Sequence, residues 1–270
     1  GFFLLTFLKY DSPYWHVAIA MLVIGLGLGQ LMQTLTIASQ NSVGVRDMGV
    51  ATSGSTFFRQ IGGTLGTAVL LSLLFTLMPS NIIGSFGDRA TLTDALDAAF
   101  DPATASAPAN EKIMSSIYTP IVTQTTDAVT QQVQQGVQQA TEAATQAVAQ
   151  QVAAGQIPAA AQAQATQAAV AQAISAATVQ IQQQVPVARI GSDGSVSLDF
   201  SDAADRTAFV DNVATTLTDQ FTSGDQDTSI GGSTLDDTSF LVGADARLTK
   251  PFLVGFNSSA TSVYWVAMSV

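Results

Sequence analysis

One arginine and one glutamine stand side by side in an otherwise uncharged run, "ATSGSTFFRQIGGTLGTAVLLSLLFTLM", residues 51–78. A guanidinium can hold a carboxylate, a set of carbonyls or water, and an amide can both donate and accept. In hydrocarbon both are expensive, so their presence asks for a neighbouring helix or a water-filled path. The preceding apolar run, "YWHVAIAMLVIGLGLGQLMQTLTIA", residues 14–38, carries Gln30 and Gln33, with Gln40 and Asn41 just beyond it. At helical spacing Ala51, Ser55, Arg59, Gly62 and Gly66 share one stripe. Small residues four apart let helix backbones approach closely in lipid, so Arg59 points toward the side that packs against other helices. Gly25 and Gly29 repeat that spacing, and Gln30, Gln33, Thr34, Ile37 and Gln40/Asn41 run along an adjacent face.

Gln30, Gln33, Gln40, Asn41, Arg59 and Gln60 are therefore the candidates for lining or gating a transport path. Gly25, Gly29, Gly62, Gly63 and Gly66 are the candidates for helix packing. The amides serve either a pathway or hydrogen bonds between helices. Arg59 serves gating, a structural ion pair or anchoring at the membrane rim, where its long side chain can snorkel. Gln60 to Met78 is 19 residues, about 28 Å of helix and enough for the hydrocarbon core, so Arg59 need not sit at mid-membrane. His16, near the other end of its helix, reads as interfacial or as a proton relay.

Composition sets what must hold these residues. The chain has 270 residues, no cysteine, 11% charged residues and a formal net charge of −11. Of the 20 acids 18, and of the 9 bases 6, fall within residues 79–250. Apolar flanks are thus joined to a polar, acidic middle, and the acidic balance argues against nucleic acid as a partner. The absence of cysteine excludes disulfides and thiolate metal sites. Residues 14–38 and 48–78 are each long and apolar enough to span a bilayer, and neither is flanked like a signal peptide. The apolar start "GFFLLTFLK" and the apolar finish "TSVYWVAMSV" read as the end of one membrane helix and the beginning of another, within a longer chain.

The expected order is a helix end at 1–8, a transmembrane helix at 14–38, a cytoplasmic connector at 39–47 and a transmembrane helix at 48–78. A large extracytoplasmic loop follows at 79–249, then an amphipathic lead-in and the start of the last span at 250–270. Arg46 in the short connector tips the orientation toward a cytoplasmic connector. Within the loop, Val122, Val129, Val133, Val137, Val148 and Val152 make one helical stripe, and Val170, Ile174, Ile181 and Val185 a second. "GQIP" supplies the turn, giving a helical hairpin over about 112–185. A disordered Gln/Ala tract is the alternative. "SDGS" at 192–195 marks a turn, and Ser201 is placed to cap a short helix at about 202–221. A Gly/Ser/Asp-rich linker occupies 222–239. "NSS" at 257–259 fits a glycosylation sequon.

Three stretches together, "GLGLGQLMQTLTIASQNSV", "RDMGVATSGSTFFRQIGGTLGTAVL" and "DDTSFLVGADARLTKPFLVGFNSSATSVYW", resemble the last part of a fourteen-helix drug:proton antiporter of the major facilitator superfamily. The resemblance covers under half the chain, and "FRQ.GG..G" after a Gly-rich helix is its most specific part. It implies an all-α membrane protein, two six-helix bundles, alternating access and export of small amphiphilic drugs or lipids. No cofactor is implied beyond a proton gradient. Arg59, Gln60, Gly62, Gly63 and Gly66 match the family's helix signature. The Gln/Ala tract is longer than the usual loop, and no carboxylate lies within either span, so the proton-coupling residue is not in this stretch.

Three functions follow: proton-coupled efflux, export of a lipid or envelope component with the hairpin as a docking arm, or a membrane-anchored interaction protein. The partners expected are membrane lipid, an amphiphilic substrate, the rest of its own transporter chain and an envelope partner for the hairpin. Polar residues on packing faces favour transport, since a plain anchor has no use for them. An enzyme is not expected, because the spans hold no nucleophile–base pair and one histidine makes no metal cluster.

Overall fold

Runs this rich in Ala, Leu, Gln and Met favour helix, and tertiary packing decides where each helix stops. In a computed structural model, residues 1–223 and 238–269 are described. The elements in order are α1 Phe2–Leu5, α2 Tyr14–Asn41, α3 Met48–Phe86, α4 Arg89–Phe100, α5 Pro102–Ala105 and α6 Glu111–Ile113. After them come α7 Thr119–Ala153, α8 Gln162–Gln184, strands β1 Ala188–Ile190 and β2 Val196–Leu198, α9 Ala203–Ser223 and α10 Ala246–Ser269. A π-helical turn, Met114–Tyr118, joins α6 to α7. The regular structure among the described residues is thus helical but for one small antiparallel sheet. The linker expected at 222–239 lies mostly outside the described residues. Thr222 and Ser223 close α9, and Thr238 and Ser239 open a short 3-10 turn.

Contacts divide the chain into two units, Gly1–Gly87 with Lys250–Val270, and Asp88–Thr249. In the first unit α2 and the stretch Val45–Phe86 are long and apolar enough to cross a membrane, and only 6% of the most apolar window of each is buried. A core helix of a soluble protein would bury most of such a window. α3 does not stop at Met78. It passes through Pro79, which offers no N–H to the ladder, and continues to Phe86. The extension is held by α10. Phe86 meets Phe252 edge-on with ring centroids 5.4 Å apart. Asn81 Nδ2 donates to Ser259 Oγ at 2.9 Å, and Ser85 Oγ donates to the Pro251 carbonyl. Gly255 lies so close to Ile82 that a methyl there would stand 2.6 Å from the Ile82 Cα. Tertiary packing outweighs the proline.

In the second unit α4 packs on α9. Leu92, Ala95, Leu96 and Phe100 are buried, as are Phe209, Val210 and Ala214. Phe100, Phe200 and Phe209 form a ring cluster with centroids 4.9 to 5.4 Å apart. α7 and α8 run along each other. Val133, Val137, Val148 and Ile174 are buried, while Val122, Val129, Val152, Val170, Ile181 and Val185 are half-buried. α7 ends in a Schellman motif, with Gly155 at φ +71°, its N–H bonded to the Val152 carbonyl and that of Gln156 to the Gln151 carbonyl. The two strands pair Ala188 with Leu198 and Ile190 with Val196 around the SDGS turn. There Gly194 takes φ +83°, and Asp193 accepts from Ser195 through both the amide and the hydroxyl. Asp202, rather than Ser201, caps α9, accepting from the N–H groups of Ala204 and Asp205. Ser201 instead donates its hydroxyl to Asp199 at 2.6 Å.

The α3–α10 contact yields a test. Gly255→Val should lower the stability of the first unit by about 2 kcal/mol, since the added side chain meets backbone that cannot yield. A thermal unfolding midpoint in detergent equal to that of the unaltered protein would show that the close approach is dispensable.

Candidate functional site

α2 and α3 are tied at the connector end. Gln40 Nε2 donates to Thr52 Oγ1 at 3.2 Å, and Ser39 Oγ reaches the Ala51 carbonyl at 3.4 Å. Beyond that contact a groove of about 560 Å³ lies between the two helices. Leu28, Leu31, Met32 and Leu35 of α2 face Ser55 and Arg59 of α3 across it. Gln60, next in sequence, turns to a shallower depression lined by Thr52, Ser53, Thr56 and Phe57. The arginine and glutamine of "FRQ" therefore serve different faces. Gln30 and Gln33 line neither depression and are exposed, as is Asn41 at the end of α2.

Hydrogen bonding sorts the polar groups of these helices. Thr34, Thr36, Thr64, Thr67 and Thr76 each return their hydroxyl to the carbonyl four residues earlier. Their polarity is settled locally. No side-chain hydrogen bond or ion pair among the described residues engages Gln30, Gln33, Ser55, Arg59 or Gln60. Of the candidates, only Gln40 has a side-chain partner among the described residues. A Cβ added at Gly25, Gly29, Gly62, Gly63 or Gly66 would meet nothing within 4 Å. The glycine that packs is Gly255, whose signal in the sequence was Ser259 four residues on. His16 stacks on Trp15 with ring centroids 3.8 Å apart. Asn257 of the sequon sits in mid-helix, half-buried, and its Nδ2 donates to the Leu8 carbonyl at 2.9 Å, so its amide is already engaged.

The second unit holds a denser polar cluster. Buried Arg206 binds Asp97 at 3.0 Å, donates to the Phe200 carbonyl at 2.9 Å and stands 3.8 Å from Asp101. Arg247 approaches Asp97 at 3.6 Å, Asp245 at 3.2 Å and the Thr104 hydroxyl at 3.1 Å. Asn110 links the Thr104 carbonyl to the Asp245 N–H. The Thr104 hydroxyl holds the Asp101 carboxyl below its ordinary range, with the Ala103 N–H, Arg206 and Arg247 adding to it against the cost of burial. At Asp245 burial pushes upward, but the hydrogen bonds and charge of Arg247 win and the net shift is downward. Asp245 in return raises Arg247, and burial drives the Tyr118 phenol far up while its hydroxyl donates to the Leu248 carbonyl at 2.7 Å. Within this cluster acid answers base, which is the arrangement of a scaffold. No local pattern signals it, since Arg206 and Asp97 are 109 residues apart.

Comparison with known proteins finds relatives among transporters. The chain is 47% identical over 70 residues to a multidrug transporter protein of Bacillus subtilis, covering 26% of this chain and 13% of that protein. It is 36% identical over 78 residues to an uncharacterized MFS-type transporter of Mycobacterium tuberculosis, 29% of this chain and 11% of the relative. It is also 36% identical over 66 residues to a tetracycline resistance determinant of Streptomyces rimosus, 24% of this chain and 19% of that protein. The matches thus span about a tenth to a fifth of these relatives' length. No family model matches the chain, and no solved structure does.

The polar cluster predicts an acid response. A carboxylate depressed in the folded state adds stability above its ordinary value, 3.8 for Asp101 and Asp245, which is lost as pH falls through the depressed value. The urea midpoint of the second unit, followed by helical circular dichroism, should hold steady from neutrality to about pH 5 and fall below about pH 4. Asp101→Asn should flatten that fall; an equally steep fall in this variant would remove Asp101 from the account.

Proposed function

We propose that this chain, which carries a stretch of major facilitator drug-transporter sequence, forms part of a proton-coupled exporter of small amphiphilic compounds in the cytoplasmic membrane. The observation that carries this reading is the set of side chains on α2 and α3, Gln30, Gln33, Gln60 and Arg59, that have no hydrogen-bond or ion-pair partner among the described residues. A helix that only anchors has no use for unanswered amides along its span, whereas a helix lining a path uses them. The names of the relatives from Bacillus and Streptomyces supply the substrate class, drugs and antibiotics. In this reading α2 and α3 cross the membrane, the connector between them is cytoplasmic and the second unit stands on the extracytoplasmic side. Gln30, Gln33, Gln40, Asn41, Arg59 and Gln60 line or gate the path, and Gly25, Gly29, Gly62, Gly63 and Gly66 receive neighbouring helices.

A second reading draws on α7, 35 residues long and so about 52 Å as a helix. Paired with α8 it makes an arm whose outer surface is Gln, Ala and Thr. That arm would dock an envelope partner while the membrane part exports a lipid or envelope component.

In the complete transporter, Arg59→Ala should abolish export of a fluorescent dye while leaving membrane insertion intact. Export at the unaltered rate would reduce Arg59 to an anchor. Removing the outer arm, residues 145–172, and closing the gap with a short glycine linker should leave dye export unchanged. Loss of export from properly inserted protein would favour the docking arm.

A further inference from the structure

We infer that the α2–α3 groove is a binding site for an anionic phospholipid, whose phosphate is held by Arg59 and Ser55 and whose acyl chain lies along Leu28 and Leu31. The inference rests on the reading that α2 and α3 span the membrane, and does not require that the chain export anything. Arg59 and Ser55 are one helical turn apart, line the same groove, and have no partner among the described residues. The first unit cannot supply an anion of its own. Its only acids are Asp11 and Asp47. Asp47 stands at the start of α3, twelve residues before Arg59, about 18 Å along the helix. Asp11 precedes α2, at the end opposite the connector.

The groove is also graded as a lipid is. Arg59 lies seven residues beyond the Gln40–Thr52 contact, about 10 Å along α3. On the connector side of it stand Thr36, Ser39 and Ser55; on the far side stand Leu28 and Leu31. The 19 residues after Arg59, from Gln60 to Met78, match the thickness of the hydrocarbon core at about 28 Å, which sets the guanidinium at phosphate depth. Hydroxyls and then a cation at the connector end, followed by an apolar channel, fit a phosphate followed by an acyl chain. A guanidinium forms bidentate bonds to phosphate that strengthen as water is excluded.

The test uses the full chain in nanodiscs of phosphatidylcholine and phosphatidylglycerol, with lipid retention read by native mass spectrometry after transfer to detergent. The unaltered protein should retain phosphatidylglycerol over phosphatidylcholine. Arg59→Gln should cut that preference about tenfold, the size of one charge-assisted hydrogen bond. Arg59→Lys should keep much of it, and Arg46→Gln, in the connector, should leave it intact. Equal retention of the two lipids by the unaltered protein would overturn the site. So would an equal loss in Arg46→Gln, or an Arg59-dependent dimer in place of the lipid complex. Failure to enter the discs would overturn the membrane reading along with it, whereas insertion without lipid selection would overturn the site alone.

Discussion

Hydrocarbon offers no hydrogen-bond partner, so every polar group carried into it must be satisfied from within the helix, by a neighbouring element, or not at all. α2 and α3 meet this constraint in two ways. Their backbones are closed into helix, and their threonine hydroxyls fold back to the carbonyl four residues earlier. What cannot be settled so locally is a longer side chain. Gln30, Gln33, Gln60 and Arg59 are the residue, in both senses, of that accounting. The groups that remain unanswered are the ones whose answer must come from outside the unit.

The same constraint explains how the first unit packs. Between helices in lipid there is no gain from burying apolar surface, so close backbone approach and side-chain hydrogen bonds do the holding. The α3–α10 contact uses both devices where α3 has run past Met78, with Gly255 pressed on Ile82 and Asn81 bonded to Ser259, and adds the buried Phe86–Phe252 ring pair. The glycines of α2 and the middle of α3 have the spacing for such contacts but open space before them. Glycine spacing thus names faces able to pack; an opposing backbone decides which ones do.

Much of this was legible in the sequence because it depends on residues close together along the chain. The apolar runs of α2 and α3 stand out by length and lack of charge, and the valines chosen by spacing include the buried Val133, Val137 and Val148. Arg59 was legible as the lone charge of its run. That α2 lies against the face of Arg59 and not that of Gln60 was not, because it depends on how the two helices pack. The continuation of α3 past Pro79 was hidden for a related reason. Proline reads as a stop, and only the packing of Phe252 and Gly255, some 170 residues later, overrides it. α4 and its pairing with α9 were missed altogether, since short Ala- and Asp-rich segments carry no strong period and Arg206 finds Asp97 only in the folded chain. Ser201 and Asp202 compete for one cap, and the neighbouring Asp199 settles it by engaging the serine hydroxyl.

The two units differ in what their charges do, and that difference separates scaffold from site. The second unit holds 18 of the 20 acids and 5 of the 9 bases. At its core Asp97, Asp101 and Asp245 engage both Arg206 and Arg247, which fixes α4 against α9 and leaves neither guanidinium open. The first unit, with two acids in all, leaves Arg59 facing a groove that no carboxylate of the unit reaches. A cation balanced inside a network stabilises a fold whatever the surroundings. A cation left open at the edge of hydrocarbon gains further when something anionic arrives, so what occupies it depends on lipid or substrate. Arg59 is therefore the group through which the composition of the membrane can act on α2 and α3.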